Sequence, residues 1–452
     1  MTKDLTTGSP GKTLREFSAP LLVCAIFQQF YSMADSAIAG RFVGKEALAA
    51  IGASYPVTMI IMAVAIGLNT GCSVIISQLF GSKKMKSMKT AVFTSLISSF
   101  VMAVLLTIFC ILFSSSMLLA LNTPKDIFSG ARVYLDIYIF GLFSLIIYNI
   151  CTGIFAALGD SKMPLYFLIC SSIGNVFLDI FMVTKLNMGI AGLAWATFIA
   201  QTAAALLALA VLMKRVHNIK TDEKPEIFSL NIFKRLMTVA VPSILQQSCV
   251  SVGNLFIQAL INSYGSDVIA GYSAAIKLNT FAIVSITTLG SGVSSFAAQN
   301  YGAGLMDRVR LGFKAGIKMV AAVALVITAF YVGISSMLMG FFIDLNEVKA
   351  VDVGIMFLRI VSPFYVVVGI KILSDSILRG TGKMFAFMFS TFTDLILRVI
   401  LSYILAAIIG TETGVWLSWP VGWSFGTIVS LIFYKKYVHS DKVGMKADEM
   451  VD

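Results

Sequence analysis

The chain has 452 residues, of which 58% are hydrophobic and only 13% are charged. Soluble globular proteins rarely combine so many apolar residues with so few charges, so we expect the chain to lie in a lipid bilayer. The net charge of +11 does not indicate nucleic-acid binding, because the basic residues lie between apolar segments rather than on one soluble face. The six cysteines all lie inside apolar segments without metal-type spacing, which indicates neither disulfides nor a metal site.

Twelve apolar segments follow one another along the chain. In order, they cover residues 14–39, 47–79, 90–115, 131–156, 162–184, 189–213, 233–263, 268–298, 312–341, 352–379, 384–409 and 414–437. Each is long enough to cross roughly 30 Å of hydrocarbon as a helix, and a helix satisfies its own backbone hydrogen bonds, as lipid requires. The sequence therefore predicts an all-α integral membrane protein with twelve transmembrane helices.

Basic residues are concentrated in every second connection. Examples are Lys83 and Lys84 after the second segment, Lys214 and Arg215 after the sixth, and Arg308 after the eighth. The positive-inside rule places these connections in the cytoplasm. It predicts a multi-pass protein of the cell inner (plasma) membrane with both termini cytoplasmic.

The two halves of the chain match each other at an offset of 221 residues. The matches include Gln78 with Gln299, Gly81 with Gly302, Gly159 with Gly380, and Lys162 with Lys383. Because each half has an even number of spans, both halves enter the membrane from the same side, and a pseudo-twofold axis should lie along the membrane normal. We predict an N-lobe over residues 1–213, a cytoplasmic linker over 214–235 and a C-lobe with a cytoplasmic tail over 236–452, with six helices in each lobe and a central cleft.

Two carboxylates in the first half have no cation within one helical turn. They are Asp35 in the first segment and Asp179 in the fifth, and Asn175 lies one turn before Asp179. An ionisable group at membrane depth is costly unless it is paired or hydrated, which makes both carboxylates functional candidates. We expect them to exchange a proton or to hold Na⁺, with hydrogen bonding to neighbouring helices as the alternative.

Two pairs of charged residues lie in the second half. Lys371 and Asp375 are four residues apart, and so are Asp394 and Arg398. Residues at this spacing share a helix face, so each pair can neutralise itself without a transported ion.

Polar residues and a proline mark the first and seventh segments. Pro20 removes a backbone hydrogen bond, which predicts a hinge in the helix that carries Asp35. Neutral polar residues suit the wall of a substrate cleft, although hydrogen bonds between helices explain them equally well. The cleft candidates are Gln28, Tyr31, Gln247, Asn254 and Gln258.

The stretch from Pro20 through Asp35 to Gly44 resembles the first-helix signature of MATE (multidrug and toxic compound extrusion) transporters. Further similar stretches are Gln78 to Gly81, Ala157 to Asp160, Asn175 with Asp179, Gly189 to Ala196, and Gly380 to Lys383. The resemblance implies a V-shaped pair of six-helix lobes that exports amphipathic, often cationic compounds in exchange for H⁺ or Na⁺.

The resemblance is to the DinF-like prokaryotic branch of that family. In this branch it implies a cation site, for a proton or Na⁺, formed by Asp35, Asn175, Asp179 and Thr197. The other well-known branch has an acidic residue on its seventh helix, and residues 233–263 contain none. Asp375 resembles another acidic position of that branch and is the secondary coupling candidate, although Lys371 one turn away could neutralise it. We therefore expect coupling in the N-lobe.

Motifs for other mechanisms are missing from the sequence. There is no G-x-x-x-x-G-K-[ST], H-E-x-x-H or G-x-S-x-G, so we expect neither an ATP-driven pump nor an enzyme. We expect a secondary antiporter with H⁺ or Na⁺ as coupling ion, no other cofactor, no nucleic acid and no obligate protein partner. Its partners would be the bilayer and small amphipathic or cationic substrates. The alternative is a flippase for a lipid-linked precursor, which a strongly cationic cleft would favour.

Overall fold

Every regular element that the structure describes is helical. The computed structural model describes residues 3–121, 123–221 and 223–439, except the side chains of residues 36, 37 and 45–48. The predicted tail from residue 440 onward and Asp222 of the predicted linker lie outside the described residues.

The first half of the chain contains α1 (Pro10–Ile38), α2 (Lys45–Gly81), α3 (Met85–Ala120), α4 (Lys125–Phe140), α5 (Leu142–Ala157), α6 (Lys162–Thr184) and α7 (Gly189–Asn218). A π-helical turn, Ala39–Val43, follows α1. The second half contains α8 (Leu230–Asn262), α9 (Ser266–Gly302), α10 (Met306–Gly333), α11 (Ser335–Gly340), α12 (Val348–Val361), α13 (Tyr365–Gly380), α14 (Met384–Ile409) and α15 (Thr413–Tyr434). A 3₁₀ turn, Ser362–Phe364, joins α12 to α13.

Among the described residues, eleven helical segments are long and apolar enough to cross a membrane, and α4 with α5 makes a twelfth span if the pair is counted as one. This confirms the predicted plan. The expected continuous helix over 131–156 is instead bent by 47° between α4 and α5. The bend occurs at Gly141, where a methyl group would lie 3.1 Å from the Tyr138 carbonyl oxygen and 3.5 Å from the Phe198 ring. Glycine thus avoids crowding between a side chain and the carbonyl oxygen of the preceding turn, whereas the Phe198 ring is at ordinary contact distance.

The helices form two compact units. Unit 1 contains Met1–Lys3 and Val23–Ile244, and unit 2 contains Asp4–Leu22 and Leu245–Asp452. The division falls inside α1 and inside α8, in each case just after a proline, Pro20 or Pro242. Each of these helices therefore begins in one unit and continues in the other. The predicted lobe boundaries at the linker and the hinge at Pro20 stay predictions.

Small residues hold the first part of α8 in unit 1. A methyl group on Gly67 of α2 would lie 2.2 Å from Ile244 Cγ1 and 2.8 Å from the Ile244 backbone nitrogen. A methyl group on Gly71 would lie 2.8 Å from both Ala240 Cβ and the Leu236 carbonyl oxygen. This G-x-x-x-G pair brings the two backbones close together, which is a common way for helices to associate in lipid.

The corresponding contact in unit 2 follows the repeat. Gly292 of α9 lies 221 residues after Gly71. A methyl group on Gly292 would lie 2.4 Å from Ser18 Oγ of α1. The beginnings of α1 and α8 are thus held at equivalent glycine positions, which supports the internal repeat at the level of packing.

The segment before α1 is anchored in unit 2. Leu5 is fully buried, and its N–H donates to Gln299 Oε1 at 3.0 Å. The Arg308 guanidinium donates to the carbonyl oxygens of Thr7 at 3.0 Å and Gly8 at 2.7 Å. These bonds fix the point at which α1 begins.

Candidate functional site

Asp35 of α1 and Asp179 of α6 meet inside unit 1. Their carboxyl groups lie close enough for a hydrogen bond between them. Asp179 is fully buried and Asp35 is partly buried. Two carboxyl groups can form a hydrogen bond only when one of them carries a proton, because two carboxylates repel each other. The structure therefore brings together the two carboxylates that lacked a cationic neighbour in the sequence.

Asn175 connects this pair to α7. In the amide orientation that satisfies its neighbours, its oxygen accepts from the Thr197 backbone N–H at 3.1 Å, and its nitrogen donates to Asp179 Oδ2 at 3.0 Å and to the Tyr31 hydroxyl. The Thr197 hydroxyl donates to the Leu193 carbonyl oxygen at 3.0 Å, so its oxygen can still accept or coordinate. The four residues of the predicted cation site thus lie together, and Tyr31 joins them.

The pattern of α6 explains why its polar residues face inward. Asn175, Asp179 and Val183 are buried and lie one turn apart on the same face. Phe177 and Phe181 on the outer side are 71% and 52% exposed. In a membrane, such apolar side chains suit lipid, while the polar face turns towards other helices.

The site offers oxygen atoms to a small cation. Asp179 Oδ1 is buried and receives no hydrogen bond from any N–H or O–H group that the structure describes. A proton shared with Asp35, or a bound cation, would satisfy this oxygen. The oxygens of Asp35, Asp179 and Thr197 suit Na⁺, which prefers oxygen ligands. The Asn175 oxygen is engaged by the Thr197 N–H, so Asn175 would have to rotate its amide to become a fourth ligand.

A pocket with about 410 Å³ of empty space lies beside the carboxylate pair in unit 1. It is lined by Tyr134, Ile137, Tyr138, Gly141, Leu145, Ala194, Thr197, Phe198 and Gln201. Thr197 belongs to both the pocket and the carboxylate site, and Tyr134 lies close enough to interact electrostatically with both carboxylates. Of the lining residues, only Thr197 was expected from the sequence. Spacing could have indicated others: Tyr134 and Tyr138 are four residues apart and share a helix face, and so do Thr197 and Gln201.

The other cleft candidates lie on parts of α1 and α8 that belong to different units. Gln28 is exposed on the part of α1 in unit 1, and Asn254 is exposed on the part of α8 in unit 2. Gln247 is partly buried, and Gln258 donates to Asn262 Oδ1 at 2.9 Å. Their role in substrate binding stays a prediction.

Asp375, the secondary candidate, is paired in unit 2. Lys371 Nζ donates to Asp375 Oδ2 at 2.9 Å, which confirms the expected ion pair. The same ammonium lies 3.7 Å from Asp394 Oδ2 on α14. The Ser430 hydroxyl of α15 donates to the other oxygen of Asp375 at 2.6 Å.

The expected neutralisation of Asp394 by Arg398 is wrong. Among the described residues, no ion pair joins the two side chains. The Arg398 guanidinium instead lies 4.5 Å from the ring centroid of Trp419 on α15, in a cation–π contact. Lys371 of α13 takes the place of Arg398 as the partner of Asp394.

Comparisons with known proteins agree with this architecture. The MatE family model matches residues 20–181 and again residues 242–404, one copy in each half. The "Probable multidrug resistance protein YpnP" of Bacillus subtilis (strain 168) is 28% identical over 440 residues, and "Probable multidrug resistance protein YoeA" of the same organism is 24% identical over 444 residues. Each alignment covers 96% of both chains.

The solved structure of a MOP superfamily transporter from Pyrococcus furiosus has the same fold. It superposes with a TM-score of 0.89 at 23% identity and covers 96% of this chain and 97% of that chain. The duplicated family match, the twelve-span plan and this similarity together settle the assignment: the chain belongs to the MatE family of multi-pass membrane transporters.

Proposed function

We propose that this protein is a secondary antiporter of the inner membrane, with both termini cytoplasmic, that exports amphipathic, often cationic compounds in exchange for H⁺ or Na⁺. The observation that carries the proposal is the close approach of the Asp35 and Asp179 carboxyl groups beside an aromatic pocket. The names of the two Bacillus relatives, which refer to multidrug resistance, support export of diverse compounds.

The coupling ion acts at the carboxylate pair. With one proton shared, the pair carries one negative charge, and a second proton or a Na⁺ neutralises it. The direct contact between the carboxyl groups and the engaged oxygen of Asn175 favour a proton over Na⁺ in the arrangement described. Asn175, which donates to Asp179 and to the Tyr31 hydroxyl, holds the Asp179 carboxyl group in position.

Substrate and ion compete through shared residues. A cationic compound in the pocket would lie beside Thr197 and Tyr134, where the ionised carboxylates and the aromatic rings attract positive charge. Neutralising the pair removes most of that attraction, so ion binding and substrate binding oppose each other. Bending of α1 at Pro20 would convert this competition into outward release of the compound and inward movement of the ion.

The flippase alternative lacks support from the pocket lining. Lys and Arg would be needed to bind the pyrophosphate of a lipid-linked precursor. No residue that lines the described pocket is basic. An acidic site beside aromatic walls suits a cation instead.

The test measures efflux of a fluorescent amphipathic cation from proteoliposomes under an imposed ion gradient. Asp35→Asn and Asp179→Asn keep the side-chain shape but remove the charge, and each should lower ion-driven efflux at least about tenfold. Asp126→Asn, at an exposed position at the start of α4, is the control and should keep wild-type efflux. Undiminished ion-driven efflux in both carboxylate variants would refute the proposal.

A further inference from the structure

The two units use their buried carboxylates differently. In unit 1, Asp35 and Asp179 contact each other, and no ion pair is formed by either within the described residues. In unit 2, Asp375 of α13 and Asp394 of α14 also converge, but on the ammonium of Lys371, at 2.9 and 3.7 Å. A cation that belongs to the chain itself lies between the carboxylates of unit 2.

The buried charges of unit 2 balance. Lys371, Asp375, Asp394 and Arg398 are 5%, 5%, 8% and 6% exposed. Two are cationic and two are anionic, so the group is neutral as a whole. Arg379, one turn beyond Asp375 on α13, is a further cation near this group: it is partly exposed, but its Nε is buried without a hydrogen-bond partner among the described residues. Within this group of four, removing the charge of Lys371 would leave one more anion than cation, which is unfavourable for buried side chains.

The packing shows that the ammonium fills this site closely. A methyl group on Gly426 of α15 would lie 2.8 Å from both Lys371 Cε and Asp394 Cβ. One turn further along α15, Ser430 donates to Asp375. Asp394 Oδ1 is buried and has no hydrogen-bond partner among the described residues. Two carboxylates thus approach one ammonium, a hydroxyl from a third helix bonds to one of these carboxylates, and one oxygen of the other carboxylate still lacks a partner.

We infer that Lys371 is a tethered cation that occupies a latent cation site of unit 2, and that it restricts exchange of mobile ions to the carboxylates of unit 1. The consequence of this inference, that ion coupling occurs at one site only, rests on the proposed function. The latent site would consist of oxygens from Asp375, Asp394 and Ser430. Such an all-oxygen set suits Na⁺, and one monovalent cation would restore the charge balance that Lys371 provides.

The experiment substitutes Lys371→Met, which keeps an apolar chain of similar length without the charge. It is made in an Asp35→Asn background, so that sodium binding to the carboxylate pair of unit 1 is weakened in every sample. The full-length protein in lipid nanodiscs is melted in NaCl and in choline chloride at equal ionic strength and constant pH. At a hundredfold excess of Na⁺ over its dissociation constant, the melting midpoint of the Met variant should rise by about 5–10 °C.

Two comparisons make the result specific. The Asp35→Asn parent, which keeps Lys371, should show no such rise, and adding Asp394→Asn to the Met variant should remove it. A sodium-dependent rise in the parent, or none in the Met variant, would overturn the inference. Lys371→Gln is a second variant that can still donate a hydrogen bond to Asp375, and its midpoint should rise in the same direction.

Whether the Lys371 variants can be purified in a folded state is also informative. Variants that fold only when NaCl is present throughout purification would support replacement of the ammonium by Na⁺. Failure of both variants to fold even in NaCl would contradict it. These readouts measure stability and not transport, so they can fail while the Asp35 and Asp179 efflux test succeeds, and the reverse.

Discussion

Replacing Gly67 or Gly71 with alanine should loosen the contact between α2 and α8 in unit 1. At Gly67 the added methyl group would lie 2.2 Å from Ile244 Cγ1 and 2.8 Å from a backbone nitrogen. At Gly71 it would meet a carbonyl oxygen of α8 at 2.8 Å. Because backbone atoms cannot rotate away as a side-chain tip can, α8 would have to move. The matched control is Gly52→Ala on the same helix, where a methyl group meets nothing within 4 Å.

The size of the effect follows from two opposing contributions. Alanine is a better helix former than glycine by about 0.8–1.0 kcal/mol, and this gain is common to all three variants. Overpacking of a tight contact costs about 1–3 kcal/mol, and this loss applies only to Gly67→Ala and Gly71→Ala. The expected difference from the control is therefore about 1–3 kcal/mol. For a unit of this size it corresponds to a melting midpoint lower by roughly 2–12 °C.

The assay is thermal unfolding of the three variants in identical nanodiscs, together with the efflux assay at a temperature well below every midpoint. We expect the midpoints of both tight-contact variants to fall below that of Gly52→Ala. Equal midpoints for Gly67→Ala, Gly71→Ala and the control would refute the claim that the first part of α8 is held in unit 1 by close backbone contact.

Two further predictions concern the ends of helices. Burial acts to raise the pKa of Asp160, but its hydrogen bond and ion pair with Arg215 outweigh this and hold the pKa below the ordinary 3.8. Asp160→Asn should therefore cost about 1–3 kcal/mol of stability at pH 7, and melting curves should show this cost disappearing as the pH falls below 3.8. Arg308→Ala should speed hydrogen exchange of the amides in residues 4–9 about tenfold, because it removes the anchor of that segment, whereas exposed Lys314→Ala should not. A pH-independent cost of Asp160→Asn, or unchanged exchange in Arg308→Ala, would contradict these expectations.

The helices were predictable because lipid imposes a simple local rule. A run of about 20 apolar residues has one stable form in a bilayer, so spans can be read from composition. The repeat was also readable, and the matching roles of Gly71 and Gly292 give it a structural meaning. The bend at Gly141 could not be predicted, because residues 131–156 form one apolar run and a single glycine in such a run does not by itself indicate a bend.

Part of the candidate site could likewise be predicted from the sequence, and part of it could not. Asp35 and Asp179 stood out because each lacked a cation within one helical turn, a local property. The partner of Asp394 did not follow from spacing, because Arg398 has a competing aromatic surface in Trp419 and Lys371 reaches Asp394 from another helix. Contacts within one helix follow from periodicity, whereas a choice between partners on different helices depends on the packed structure.

The most direct test of the account measures both sides of the exchange at once. Proteoliposomes loaded with a fluorescent amphipathic cation are diluted into dye-free buffer, and movement of H⁺ and of Na⁺ is recorded with ion-sensitive dyes while the substrate leaves. Antiport through Asp35 and Asp179 predicts that the substrate gradient drives one of these ions inward in the wild type and that Asp179→Asn abolishes this ion movement. Substrate efflux without movement of either ion, or ion movement undiminished in Asp179→Asn, would contradict it.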